Sequence, residues 1–328
     1  MKTVTVRARS ASCRITQRTL FTINCNFSQS LVATQPICRL SRFLAFFANA
    51  IAAWLARRSL RTQARIGAWL GRQILWSKGM KNRLTDNLQT AGLLDSVGLQ
   101  SAAESAGRLA IETVALWKTP DATLLSRVRV VQGWDQVLAL RDQKIGVIFL
   151  TPHLATFEMA SIFIGSQVPM TAMFRPPKVA WAEPMMRAGR DRLQIKSVPA
   201  EMSGIRAMLK ALKLGETIGL LPDQVPTSGD GAVGTFFGRP AYTITLVQKL
   251  AKTSGATVVM VACKRLADGV GYELQFTPLA PFSVAPEAAA NELNRAVEAA
   301  IAIAPEQYLW TYNRYKMPAG AQRSSELT

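Results

Sequence analysis

Apolar and polar positions are arranged differently in the two parts of this 328-residue chain. Phe43 to Ala56 is apolar apart from Asn49 and is bracketed by Arg39 and Arg42 before it and Arg57, Arg58 and Arg61 after it. As a helix, fourteen residues span about 21 Å, while a bilayer core of about 30 Å calls for nearer 20 residues. The run therefore reads as a membrane anchor over 37–61, either spanning with the help of snorkelling arginines or lying in the interface. Trp54, Trp69 and Trp76 suit the membrane–water boundary. Residues 62–127 read as helices. From Val128 the pattern alternates. Short apolar runs predict strands at 128–131, 146–150, 170–174, 217–221, 257–263 and 271–277. Periodic segments predict helices at 134–141, 154–165, 181–190, 202–213, 242–253 and 286–303. The fold class that follows is α/β, with a mixed, mostly parallel sheet flanked by helices over 128–317 and an N-terminal helical membrane anchor. Residues 1–36 are expected to be a disordered extension, and 318–328 a tail.

Charge sharpens this division. The net charge is +18, and 15 of the 39 Lys and Arg lie in residues 1–85, before the first acidic residue, Asp86. The remainder holds 24 basic and 21 acidic side chains, so its net charge is only +3. Such asymmetry points to an anionic partner: a membrane surface, nucleic acid or an acidic protein; because the body carries only +3, a nucleic-acid partner is not expected. The cysteines Cys13, Cys25, Cys38 and Cys263 have no metal-ligand spacing, and a zinc site is not expected from one histidine. Phosphate-loop signatures are absent, and no cofactor is expected.

That one histidine is His153, in Thr151-Pro152-His153-Leu154-Ala155-Thr156-Phe157-Glu158. It follows an apolar strand broken by proline, which has no amide proton for a ladder. Imidazole with a carboxylate is the least apparatus that takes a proton from a hydroxyl near neutral pH. Residues five apart on one straight helix point about 140° away from each other. His153 and Glu158 are therefore expected to meet only if His153 lies in the entering loop and Glu158 in the first helical turns. Further strand ends supply candidate substrate-binding residues. Arg175 and Lys178 follow 170–174, and Asp223 and Gln224 follow 217–221. Arg239, in a Gly-Arg-Pro turn expected to precede a helix, makes a good anion site because helix amides add to its charge. The aromatic and basic run from Tyr308 to Lys316 is expected to be a packed or membrane-facing edge.

Together these segments resemble the lipid A biosynthesis acyltransferases, the lauroyl/myristoyl branch of the lysophospholipid acyltransferase superfamily. The resemblance runs from about 37 to 317 and is carried by Arg83…Asn87-Leu88, Thr151-Pro152-His153…Glu158, Phe174-Arg175-Pro176, Leu221-Pro222-Asp223-Gln224, Phe237-Gly238-Arg239-Pro240 and Pro305-Glu306-Gln307…Trp310…Arg314-Tyr315-Lys316. It implies transfer of a fatty acyl chain from an acyl-carrier-protein thioester to a hydroxyl of a lipid A precursor, at the cytoplasmic face of the inner membrane. His153 would be the base and Glu158 its partner, with Arg175 and Arg239 in blocks associated with substrate phosphate. The family often has Gly-Asn-Trp where this chain has Ala155-Thr156-Phe157. Other acceptors, such as a lysophospholipid or another amphiphile, and a non-catalytic basic membrane-binding protein are the competing readings.

Overall fold

The computed structural model describes residues 5–8, 11–14, 39–177 and 179–321. The chain divides into two compact units, Met1–Cys38 and Arg39–Thr328. In the first, β1 (Thr5–Ala8) and β2 (Ala11–Arg14) form an antiparallel hairpin. The expected disordered extension otherwise lies outside the described residues.

The second unit opens with helices: α1 (Arg39–Ala56), α2 (Leu60–Gln73), α3 (Lys78–Thr90), the short α4 (Leu94–Val97), α5 (Leu99–Leu116) and the short α6 (Asp121–Leu125). Ser59 caps α2 by accepting from the Thr62 amide at 3.2 Å. α2 and α5 cross at glycine: a Cβ on Gly71 would lie 2.1 Å from the Ala103 carbonyl oxygen, and one on Gly107 2.1 Å from that of Gly67. No described helix is long and apolar enough to cross a membrane. α1 buries Ala52 and Leu55 but exposes Phe43, Leu44, Phe46, Phe47, Ile51 and Trp54.

The body that follows alternates strand and helix: β3 (Val128–Gln132), α7 (Trp134–Asp142), β4 (Val147–Leu150), α8 (Glu158–Gln167), β5 (Met170–Phe174), α9 (Glu183–Arg190), β6 (Ile195–Pro199), α10 (Met202–Lys213) and β7 (Thr217–Leu220). It continues with β8 (Gly231–Phe236), β9 (Arg239–Ile244), α11 (Leu246–Ser254), β10 (Thr257–Arg265), β11 (Tyr272–Pro278) and α12 (Pro286–Ile301). Seven strands form one sheet in the order β3-β11-β10-β4-β7-β5-β6. Every pairing in it is parallel except β10 with β11. This is the mixed, mostly parallel sheet expected from the alternation.

β4 is apolar at every position because both faces of the sheet are covered. Ile148 and Leu150 join Met208 and Leu212 of α10, and Leu250 of α11, in one core layer. Val147 and Phe149 join Met159 and Ile162 of α8, and Val137 of α7, in the other. Burying a side chain of this size contributes roughly 1.5–3 kcal/mol, so the two layers hold the central strands rigidly.

Three sequence expectations are corrected here. A further edge strand, β6, lies between two expected helices. The helix expected over 154–165 starts at Glu158, because Ala155 takes a left-handed conformation (φ 49°) and gives its amide to the Gln307 carbonyl at 2.9 Å. The helix expected over 242–253 starts at Leu246, and 239–244 is instead the second strand of the β8–β9 hairpin. Phe237 and Gly238 both have positive φ, 44° and 75°, which suits a tight two-residue hairpin turn with strands on both sides.

Candidate active site

Parallel neighbours β4 and β7 run in register, with Leu150 opposite Leu220. Three residues past each of these strand ends stand His153 and Asp223. The register therefore delivers a histidine and a carboxylate to one spot at the carboxyl edge of the sheet, where open α/β folds build their crevices. The Asp223 Oδ1 lies 2.8 Å from His153 Nδ1, and Oδ2 accepts from the His153 backbone N–H, also at 2.8 Å. Both residues are buried, with His153 8% and Asp223 2% exposed. Burial alone would raise the Asp223 carboxyl. The His153 charge and the two hydrogen bonds outweigh that and hold it below its ordinary value. An ionised Asp223 accepts only, so it fixes the ring proton on Nδ1 and leaves Nε2 as the acceptor. The Gln224 amide donates to Nε2 at 3.1 Å.

The partner of His153 is thus Asp223, and the expected His153–Glu158 contact is not made. Glu158 opens α8, 5% exposed, and faces other groups. Its Oε1 receives Arg190 Nη2 at 2.5 Å and Nε at 3.1 Å, and its Oε2 receives the Trp117 indole N–H at 2.8 Å. The physical reason is direction: the first turn of α8 aims Glu158 toward α9, while His153 is drawn toward β7. Arg190 stacks its guanidinium 6.0 Å from the Phe174 ring, and Arg187 lies 4.6 Å from it. Sequence reasoning missed Arg190 and Trp117; the available signal was that a buried carboxylate on α8 demands a cation and donors.

The loop 153–157 is clamped from behind by the C-terminal run. Leu309 donates to the His153 carbonyl at 3.0 Å, Ala155 to that of Gln307, and Leu154 bridges to Tyr308. Asn87 anchors the clamp by donating to the Trp310 and Tyr312 carbonyls at 2.6 and 2.9 Å. Tyr308 and Trp310 are 3% and 2% exposed, so the aromatic run is a packed edge. A second tie holds Thr156, whose hydroxyl donates to Glu112; Glu112 also receives Arg265 Nε at 2.7 Å.

The remaining expected site residues are not gathered around His153. Arg175 is exposed just beyond β5, on the same strand-end edge as His153 and Asp223. Lys178 lies outside the described residues. Arg239 starts β9 and does not precede a helix, so no helix amides add to its charge. It pairs with Asp86 at 2.8 Å and lies 4.5 Å over the Tyr315 ring.

Beside the histidine loop is a small, mostly apolar cavity of about 70 Å³, lined by Phe157, Ile162, Ala172, Met173, Gly189 and Leu220 among others. Glu158 and Arg190 also line it, beside the apolar side chains. Comparison with known proteins decides the class. The family model for bacterial lipid A biosynthesis acyltransferases matches residues 33–317. The chain belongs to that family. It is similar to the lipid A biosynthesis lauroyltransferase of Escherichia coli (strain K12), 31% identical over 219 residues, covering 65% of this chain and 70% of that protein. The palmitoleoyltransferase of lipid A biosynthesis from the same strain is 31% identical over 217 residues, 65% of this chain and 69% of its own length. A lipid A biosynthesis acyltransferase of Haemophilus influenzae is 28% identical over 231 residues. This member of the family is an acyltransferase.

Proposed function

We propose that this acyltransferase moves a fatty acyl chain from an acyl-carrier-protein thioester to a hydroxyl of a lipid A precursor, with His153 as general base. The observation that carries this reading is the Asp223–His153 pair at the joined ends of β4 and β7. The acceptor hydroxyl replaces Gln224 at Nε2 and gives up its proton as its oxygen attacks the thioester carbonyl. The imidazolium that forms is stabilised by Asp223 at 2.8 Å. It then returns the proton to the leaving thiolate, so no enzyme nucleophile is required. In this reading Glu158 acts indirectly. It holds Arg190 on one wall of the small, mostly apolar cavity and is itself held by the Trp117 indole, and Arg175 waits at the adjoining strand end for an anionic substrate group.

The exposed apolar residues of α1 support an interfacial membrane helix, which this reading assigns to the cytoplasmic face of the inner membrane. The basic first quarter attracts anionic lipid and an acidic carrier protein. Lauroyl- and palmitoleoyl-transfer by the two relatives supports a lipid A acceptor over a lysophospholipid. The experiment is acyl transfer in detergent from matched carrier-protein and coenzyme A thioesters to a lipid A precursor or a lysophospholipid, followed by mass spectrometry. Transfer from the carrier protein to the lipid A precursor is expected, with loss of about 10²–10⁴-fold in His153→Ala. Preference for coenzyme A thioester and lysophospholipid would overturn the assignment.

A further inference from the structure

A larger cavity, about 820 Å³, is walled by α2, α5 and the turn after β10 and does not include His153. Six cations line it: Arg61, Arg65, Arg72, Arg108, Lys264 and Arg265. The carboxylates on its lining are Glu104, Glu112, Asp268 and Glu306, which leaves a formal excess of two positive charges. Arg72 and Arg108 share Glu104 at 2.9 and 3.1 Å, and Lys264 is held by Glu273 at 3.6 Å. Arg61 and Arg65 have no carboxylate partner among the described residues, and Arg61 Nε reaches only the Asp268 carbonyl, at 3.3 Å.

Arg265 is the informative residue. Its side chain is 10% exposed. Nε is engaged by Glu112 and Nη1 by the Ser105 hydroxyl at 3.1 Å. Nη2 is buried with no hydrogen-bond partner among the described residues, and so is Nε of Arg108 on the facing wall. A buried guanidinium N–H left unpaired costs free energy that a properly placed acceptor recovers. Neither of these atoms has accessible surface, so the anion-binding capacity of the cavity rests on the free forks of Arg61 and Arg65 and on the guanidiniums of Arg72, Arg108 and Arg265 along the same lining, with a formal charge excess of two. That is the complement of a tetrahedral dianion, since arginine forks match phosphate oxygens bidentately. Leu60, Ala64 and Ala68 give one wall an aliphatic surface.

We propose that this cavity is a second ligand site, separate from the histidine site, that binds a phosphate monoester. The phosphate is either free or the headgroup of an anionic lipid. It goes beyond the acyl-transfer reading and stands without it.

The test uses the full chain in detergent micelles and two probes. Inorganic phosphate is titrated calorimetrically, and phosphatidylcholine vesicles with and without phosphatidic acid are used in co-sedimentation. The cavity variant is the double substitution Arg61→Gln with Arg65→Gln, both exposed positions. The charge-matched control is Arg206→Gln with Lys210→Gln, exposed on α10 and outside both the cavity and the basic first quarter. Saturable binding that weakens at least tenfold in the cavity variant and less than twofold in the control is expected. If phosphate alone shows it, the free anion suffices. If only phosphatidic acid vesicles show it, the ligand is a lipid headgroup. Equal losses in the two double variants, or no binding of either probe by the wild-type chain, would overturn the proposal.

Discussion

Replacing Asp223 with asparagine tests the site at its central bond. Asp223 presents two acceptor oxygens to two N–H groups of the same residue, the His153 backbone amide and Nδ1, each at 2.8 Å. Asparagine has one acceptor and one NH₂, so one of those donors must face a donor. The backbone N–H cannot move its proton, but the imidazole can. The amide oxygen therefore stays on the backbone, the NH₂ turns to Nδ1, and the ring proton shifts to Nε2. Nε2 then has no lone pair for the substrate hydroxyl. The charge-assisted bond to the imidazolium, about 1.5–3 kcal/mol, is lost as well, and at 1.36 kcal/mol per decade that bond alone represents about 10–150-fold. Adding the wrong tautomer brings the expected fall in kcat to about 10²–10⁴-fold, the range seen when a positioned base is disabled. Turnover is read by mass spectrometry of the acylated acceptor, with far-UV circular dichroism and a urea titration to confirm folding. Asp223→Glu keeps the charge but lengthens the arm in a site 2% exposed, and it should recover little. A folded Asp223→Asn enzyme within fivefold of wild-type kcat would refute the assignment of Asp223 as the group that sets the tautomer.

Other outcomes follow from the same contacts. Glu158→Gln keeps an acceptor for Trp117 but removes the charge facing Arg190, so it should lower kcat/KM less than Asp223→Asn does while leaving the acid and base limbs of the kcat–pH profile in place; a shifted limb would instead put Glu158 on the imidazole. Asp223 is held below its ordinary carboxylate value, so its contribution to stability is complete above the unfolded value of about 3.9 and is lost as pH falls through the folded value; in urea titrations between pH 6 and 3, wild type should lose more stability below about pH 4 than Asp223→Asn. Arg314, 3% exposed, donates to the Tyr242 carbonyl, the Thr243 hydroxyl and Asn294, so Arg314→Ala should cost about 3–5 kcal/mol of unfolding free energy, and a loss under 1 kcal/mol would contradict that role. Burial pushes the Cys263 thiol up to about 12, so peptide mapping after iodoacetamide at pH 8 should find it unmodified in native protein and modified in urea.

Much of the body was legible because its signals are local. Six expected strands coincide with β3, β4, β5, β7, β10 and β11 to within a residue or two; the central β4 and β7, buried and parallel, read as short apolar runs, while β3 is an exposed edge strand marked by its valines. The strands missed have weaker local patterns. β6 is Ile-Lys-Ser-Val-Pro, a polar edge strand, and the β8–β9 hairpin turns on Phe237, whose positive φ no bulky residue advertises. The site was legible in its members more than in its pairings. His153, Asp223 and Gln224 were all singled out, each at a strand end, yet their meeting depends on β4 lying next to β7, a fact of sheet order that no window along the chain contains. The polar partners of Glu158 come from α9 and the end of α5, 32 and 41 residues away, and are likewise non-local.

The separation of His153 from Glu158 also bears on why a spacing of five accompanies this chemistry. Between them the chain passes from β4 into α8 through Ala155 in a left-handed conformation, where an alanine pays a cost of about 1–2 kcal/mol that glycine avoids. This chain ties the loop down from two sides. The Gln307–Leu309 backbone holds residues 153 and 155, and Arg265 through Glu112 holds Thr156. The strain is kept because it makes the chain reverse sharply enough for residue 153 to face β7 while residue 158 faces α9. Two buried carboxylates then have separate partners: Asp223 is hydrogen-bonded by the backbone N–H and ring of His153, and Glu158 is paired with the Arg190 guanidinium. A shorter spacing would place both side chains on one face of α8, and His153 would lose the strand-end position from which Asp223 reaches both its ring and its amide.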